Sequence, residues 1–521
     1  MASSNIETEH PLYADNVVDW RQSRDTYRGE RIIKEQGFKY LAATSGMVED
    51  GITSTAQKGY KAYSAYRMRA RFPDVVREAV EAMLGVMHHK PPVIELPAVM
   101  EPLRERASLR NESLESLLRR INEEQLVTGR LGLLADVPES VPQEGIPLPY
   151  IALYQGEDII NWDEGERDGV EADALNLVVI DESECVRKNG DFGWEEVRKH
   201  RVLVLGDVAP NESEQTGSKY SVGVFRDDNE GPAQFDESQL TIPSIRGNTL
   251  EEIPFRFINT KDIVPTPDEG PLLGLSNLSL AIYRAEADYR QALFMQGQDT
   301  LVVVGEVGDE ESTRTGAGAK IGVPIGGDAK YIGVSSQGLS EMRESLVNDY
   351  ARAEEKSQGL IESVSRSAES GEALRVRVAA RTASLNQIAL TGAFGLQEIL
   401  RIIARWVGAN PEEVIVTPNV DFVADVLKGR ELVDVMTAKQ LGAPLSLQSI
   451  HELQQSRGLT ERTWEEELEL MEKEAEDGLP GAVPPGMGDD QGATGEGDPV
   501  EDDEDQGGDE GEGDEDEGDE G

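Results

Sequence analysis

Between Tyr60 and Met87 the chain reads YKAYSAYRMRARFPDVVREAVEAMLGVM, and after Pro73 its apolar residues Val76, Val80, Met83, Leu84 and Met87 return at three- and four-residue steps. That spacing predicts a helix with one buried face, with Pro73 in its first turn and Pro91 and Pro92 beyond its end. A second helix is predicted from Glu101 to Thr128, closing at Gly129. The period then changes. LGLLADVP, PLPYIALYQGEDIINW, ALNLVVIDESECV, HRVLVLGDV, KYSVGVFRD and IPFRFINTKDIV are short runs rich in Val, Ile, Leu, Tyr and Phe, separated by Gly, Asn, Asp and Pro. They predict a sheet-rich region over about 131 to 265, and Lys188-Asn189-Gly190-Asp191 carries the Asn-Gly signal of a tight hairpin. Helices followed by strands make this half an α+β domain.

The second half returns to the helical period. Pro271 to Gln298 reads as one long helix, and from Gly338 to Leu360 the residues Leu339, Met342, Leu346, Tyr350, Ala353 and Leu360 share a stripe. Between them lies a short β-like insert, so the two helices form a hairpin with the insert at its tip. In GEALRVRVAARTASLNQIALTGAFGLQEILRIIARWVG the residues Leu374, Val378, Leu385, Ile388, Leu396, Ile399 and Ile403 predict a helix of about nine turns with one buried face. VIVTPNVDF offers one more strand, and two or three helices follow between Glu431 and Glu476.

Motifs for chemistry are sparse. GAGAKIGVPIGG has Ile321 where a dinucleotide fingerprint needs its third glycine, and it reads as a mobile loop. His88 and His89 abut Lys90-Pro91-Pro92 at a helix end, where a capping role is expected rather than zinc ligation. DEGERDGVEAD from Asp163 places Gly165 where a calcium loop needs a ligand, so it reads as a solvated loop. There is no Walker loop and no Gly-x-Ser-x-Gly elbow, and the five histidines are scattered. No cofactor or metal is expected.

Charge changes the picture. The 521 residues carry 100 Asp and Glu against 50 Lys and Arg, a net charge of -50. The last 33, from Asp489 to Gly521, hold 18 of those acids, no Lys or Arg, and nothing apolar bulkier than Pro499 and Val500. This segment cannot bury enough to order itself, and the remaining 488 residues are still acidic, at -32. Such a body disfavours tight nucleic-acid binding, though it would let DNA pass without holding it. The lone Cys185 excludes an internal disulfide framework and is expected to be a small core or strand residue. No apolar run approaches a membrane span, so a soluble protein made in a cytoplasm is expected. Against this background Arg375, Arg377 and Arg381 cluster on one helical stretch.

Several blocks in this order resemble the portal, or head-to-tail connector, proteins of tailed bacteriophages. They are YRMRARFPDVVREAVEAMLGVMHHKPPVIELP, TGRLGLLADVP, PYIALYQGEDIINW, GPLLGLSNLSLAIYRAEADYRQAL and SGEALRVRVAARTASLNQIA. The resemblance implies an α+β wing over 1–267, stem helices over 268–298 and 337–362, and a clip over 299–336. A tunnel loop, a long helix and a returning wing strand would fill 363–430, a helical crown 431–478, and a disordered acidic tail 479–521. It implies a non-enzymatic virion protein at one capsid vertex: a homo-oligomeric ring, a dodecamer in the family, through which double-stranded DNA is packaged and ejected without sequence specificity. The implied partners are the terminase large subunit, a head-tail adaptor, and the major capsid and scaffolding proteins, with no membrane.

By position, Ser363, Ser365, Ser367, Glu369, Ser370 and Gly371 match the tunnel loop, and Lys320 and Lys330 the clip. Arg375, Arg377 and Arg381 would face the channel or a neighbouring subunit, while Arg377 and Arg381, four apart, could equally pair with nearby carboxylates. Two other classes compete with this reading. One is an acidic assembly chaperone or scaffold acting through the tail. The other is a hydrolase using carboxylates of the sheet domain such as Asp158.

Overall fold

The structure is a computed structural model of the 521-residue chain, which divides into two compact units, Met1–Phe422 and Val423–Gly521. In the first it describes residues 5–137, 148–167, 170–188, 190–206, 219–227, 235–296, 301–304, 320–323, 336–358, 371–420 and 422. In the second it describes 435–439, 444, 446–456, 460 and 462–476. For 165–167, 170–174, 296, 301–304, 320–323, 336–337, 358, 371–382, 453, 456, 472 and 474–476 it describes the backbone alone.

The first unit opens with helices α1 (Pro11–Arg28), α2 (Glu30–Glu35), α3 (Ser45–Glu49), α4 (Lys58–Arg69) and α5 (Val75–Met87). All five apolar residues that predicted α5 are buried. The helix starts two residues later than expected, because Asp74 is its N-cap and Pro73 stands outside it. His88 is its C-cap, and His89 Nδ1 lies 2.9 Å from the carbonyl of Val86, the service to terminal carbonyls that its position suggested.

The helix expected from Glu101 is shorter. A 3₁₀ segment, Ala98–Arg104, contains Pro102, which cannot donate to a helical ladder, and Asn111 has φ 57°. The α-helix α6 (Leu114–Val127) begins only where Ser113 accepts a bond from the N–H of Ser116 at 3.2 Å, and it closes at Gly129, φ 82°.

Each of the six expected runs holds strand, two of them split in two, and β7 is additional: β2 (Arg130–Asp136), β3 (Tyr150–Gln155), β4 (Ile159–Arg167), β5 (Val170–Asp181), β6 (Glu184–Arg187), β7 (Trp194–Val197), β8 (Lys199–Leu205), β9 (Tyr220–Arg226) and β10 (Phe255–Asn259). One antiparallel sheet has the order β10-β2-β3 and another β4-β5-β8-β9, while β1 (Val93–Glu95) pairs with β13 (Ile415–Thr417), the strand expected from VIVTPNVDF. Every residue of β2 is buried, which is why LGLL reads as a continuous apolar run.

The acidic stretch from Asp163 is not a loop. It is the end of the β4–β5 hairpin, paired as far as Arg167 with Val170 across several register shifts. The Asn-Gly hairpin forms between β6 and β7, with Arg187 opposite Trp194, Gly190 at φ 77°, and the N–H of Lys188 donating to Gly193 O at 2.9 Å. Cys185 lies in β6, exposed, so it is a strand residue and not a core one.

The remaining helices are α7 (Leu273–Gln296), α8 (Ser336–Gln358) and α9 (Gly371–Val407). Between α7 and α8, β11 (Leu301–Val304) pairs in parallel with β12 (Lys320–Val323), so part of the glycine-rich stretch expected to be a loop is strand. The main core joins both sheets to α6 and to the last third of α9, through Leu396, Ile399, Ile403 and Trp406. In the second unit the described residues include helices Leu447–Ser456 and Trp464–Glu476 and a helical stretch over 435–439, and His451 packs edge-on against Trp464 at 5.5 Å.

Candidate functional site: the helical hairpin and the long helix

The α7 helix is rooted by residues far away in sequence. Near its start, Gln22 Nε2 donates to Asn277 Oδ1 at 2.7 Å and Thr26 Oγ1 to Ser276 Oγ at 2.9 Å, both from α1. Further along, Arg284 Nε donates to Tyr40 O at 3.0 Å, and from α4 the Tyr66 hydroxyl donates to Asp288 Oδ1 at 2.6 Å. Burial and the bond to Asp288 push the Tyr66 hydroxyl well above its ordinary pKa, so it stays a donor.

The α8 helix folds back along α7. Leu346 and Ala353 are buried in one cluster with Leu275 and Ile282, and Tyr350 flanks it. The Tyr350 hydroxyl donates to Glu286 Oε1 at 3.2 Å, while Arg290 Nε holds the other oxygen at 2.5 Å. This buried carboxylate is therefore satisfied inside the hairpin and presents no free base. The predicted stripe holds where side chains are described: Leu339, Leu346 and Ala353 are buried, Met342 and Tyr350 half-buried.

Lys320 is the first residue of β12, on a backbone that places it opposite Leu301. Lys330 and Ser363, Ser365, Ser367, Glu369 and Ser370 lie outside the described residues, and Gly371 is the first residue of α9. Arg375, Arg377 and Arg381 all fall within α9. At 100° per residue, Arg377 and Arg381 share one side of the helix and Arg375 starts from another. Their side chains lie outside the described part.

The far half of α9 is fixed to the body. Gln387 Nε2 donates to Lys261 O at 3.1 Å, the N–H of Val416 in β13 donates to Gln397 Oε1 at 2.9 Å, and Trp406 Nε1 donates to Asn248 O at 3.2 Å. Arg405 reaches Glu252 at 2.5 Å. This 37-residue helix thus shares a cluster with the hairpin helices through Leu385, Ile388 and Ala389 and ends in the sheet core.

Asp158 sits in a structural setting. Its carboxylate accepts from the N–H of Gln155 at 3.3 Å as part of a capping box, and burial beside Glu157 raises its pKa to about 6. Next to it, Arg24 of α1 bridges Glu157 at 2.5 Å and Glu124 of α6 at 2.7 Å. These partners tie α1 and α6 to the sheet.

Periodicity did not single out the cations of the N-terminal helices. Lys58, Lys61, Arg67, Arg69 and Arg71 fall within fourteen residues that contain no acid. Arg69 donates to Gln291 Oε1 of α7 at 2.5 Å and stacks over Phe294 at 4.0 Å, so the run borders the α7–α8 pair.

A family model described as a domain of unknown function (DUF4055) matches residues 271–407, the span from the start of α7 to the end of α9. No curated protein matches the chain. Among solved structures the chain is similar to the neck of a native GTA particle computed with C12 symmetry. That likeness has 14% identity and a TM-score of 0.33, covering 73% of this chain and 89% of that one. It is also similar to the neck of an empty GTA particle computed with C6 symmetry, at 15% identity and a TM-score of 0.32, covering 80% of this chain and 94% of that one.

Proposed function

We propose that this chain is a phage portal: a ring-forming, non-enzymatic head-tail connector through which double-stranded DNA enters and leaves a capsid. The observation that carries the reading is an order of parts. An α+β body comes first, then a helical hairpin rooted in it through Gln22, Thr26, Tyr66 and Arg284. A β pair stands between the two hairpin helices, and a long helix then runs back into the same body. The sequence blocks that resemble portal proteins fall in that order along these elements.

In this reading the body to residue 267 is the wing, α7 and α8 are the stem, and 299–336 is the clip that meets the terminase large subunit and later the head-tail adaptor. Residues 363–370 form the tunnel loop, and the first turns of α9 carry Arg375, Arg377 and Arg381 at the channel or at a subunit boundary. Residues 431–478 form the crown. A net charge of -50 per chain, repeated around a ring, repels DNA and keeps its passage free of tight binding.

The test is electron microscopy of the purified full chain with mass photometry alongside. Rings with a central hole, at the mass of about a dozen 57.0 kDa chains, are expected. A monomer or compact dimer at every concentration and salt would overturn the reading.

A further inference from the structure

The exposed face of α4 is cationic, and no carboxylate among the described residues pairs with it. Lys58, Lys61 and Ala62 of α4 are exposed, Met68 is 72% exposed, and Arg71, two residues beyond the end of the helix, is exposed as well. Arg67 lies over the Tyr63 ring at 5.7 Å and Arg69 reaches an amide, so neither meets an acid. Elsewhere in this unit cations are commonly matched: Arg24, Lys39, Arg104, Arg120, Arg201, Arg256, Arg290, Arg401 and Arg405 each reach a carboxylate within 4 Å.

A strip of the opposite sign lies on α1. Asp15 and Asp19, one turn apart, are exposed without a cation partner among the described residues, with Ala14 exposed and Val18 62% exposed between them. The two strips match in kind, since each is a helix face with like charges around a small apolar centre. Both helices pack on α7 at different heights, α1 beside Ser276 and Asn277 and α4 beside Asp288 and Gln291, about 16–22 Å apart along the axis at 1.5 Å per residue. They are therefore separate patches on one chain, which is the arrangement a heterologous, ring-closing contact requires.

We propose that the cationic face of α4 docks on a second copy of this chain, against the α1 face carrying Asp15 and Asp19. The inference rests on the ring reading above and specifies one of its contacts. The exposed Met68 and Val18 favour a protein occupant, because a phosphate backbone offers a thioether nothing to bury against. Tyr63 and Tyr66 are buried and Tyr60 is half-buried, so α4 offers none of the open rows of aromatic faces on which successive bases stack. In a chain of charge -50, a matched pair of opposite strips also supplies what self-association otherwise lacks.

The experiment compares the full-length wild type with K58E/K61E/R71E, with D15K/D19K and with all five changes combined, by mass photometry at low and high salt. Far-UV circular dichroism and tryptophan fluorescence check that each variant is folded. Each reversed set is expected to weaken assembly about tenfold or more, and the combination to restore it, because the charges across the contact are then exchanged.

Wild-type rings with unchanged rings from K58E/K61E/R71E would overturn this contact and leave the ring reading standing. A wild type that never assembles would remove both. If only the α4 set matters and D15K/D19K assembles normally, the α1 half is wrong and the proposal falls. The same holds if the α4 variant assembles fully but loses binding to a fluorescent DNA duplex that the wild type retains, which would assign the face to nucleic acid.

Discussion

The seat of α9 on the sheet depends on a missing side chain. Gly395 faces Ile258 of β10, a fully buried residue, and a Cβ at 395 would stand 2.5 Å from Ile258 Cγ1 and closer still to Cδ1. In an exposed helix Gly→Ala is favourable by about 1 kcal/mol. Here the methyl has to displace packed core atoms, and overpacking costs about 1–3 kcal/mol. Net of the helix gain, Gly395→Ala is therefore expected to destabilise by up to about 2 kcal/mol.

The same reasoning reverses in a cavity. Ile258→Ala alone should cost about 2–5 kcal/mol, but it removes both offending carbons and leaves Ile258 Cβ as the next neighbour, at an ordinary 3.6 Å. Added to that background, Gly395→Ala gains its helix preference and fills part of the void, about 1–2 kcal/mol of stabilisation. The effect of one methyl thus changes sign, a coupling of about 3 kcal/mol between contacting sites.

Guanidinium unfolding followed by tryptophan fluorescence reads it directly, because Trp20, Trp162 and Trp406 all lie in this core. Gly85→Ala serves as control: its Cβ would meet nothing within 4 Å, so the midpoint should rise. Gly395→Ala acting with the same sign in both backgrounds would refute the packing argument.

Two further expectations concern buried charge. Asp158 binds its proton more tightly folded than unfolded, about 6 against 3.8, so its contribution falls as pH rises between those values and is a penalty above 6. Asp158→Asn should therefore stabilise by about 1–3 kcal/mol at neutral pH, with the gap closing towards pH 4; a pH-independent gap in chemical unfolding would count against this. Arg24→Met leaves Glu124 and Glu157 facing each other without their cation and should cost about 3–5 kcal/mol. A loss below about 1 kcal/mol in the same assay would show the pair to be solvent-screened.

The elements that the sequence disclosed are those whose burial is periodic. Helix α5 and the far part of α9 bury the residues that recur at three- and four-residue steps, α8 buries Leu339, Leu346 and Ala353 of its stripe and half-buries Met342 and Tyr350, and β2 buries every residue of its run. Where composition stood in for periodicity, the reading failed. The acidic, glycine-bearing stretch from Asp163 resembles a loop, yet alternation in a bulged hairpin tolerates it. Residues 101 to 113 keep helical spacing, yet Pro102 and the left-handed Asn111 break the ladder. The anchors of α7 were not legible at all. Tyr66 and Asp288 are 222 residues apart, and each alone is an ordinary surface-compatible residue until the fold brings them together.

The excess of acid over base also has a structural consequence. In the first unit the ion pairs at interfaces between elements, such as Arg24 with Glu124 and Glu157 and Arg201 with Asp136 and Glu182, join helices to sheets and sheet to sheet. These cations are neutralised inside the fold, so the surplus carboxylates remain outside, where like charge opposes assembly. A ring of such chains needs exposed positive charge that its own fold has not already paired. Because α4 and the turn after it keep Lys58, Lys61 and Arg71 outside and unmatched among the described residues, a change of sign there should alter association while leaving folding intact. Reversing Arg24 or Arg201 should instead lower the stability of the fold itself.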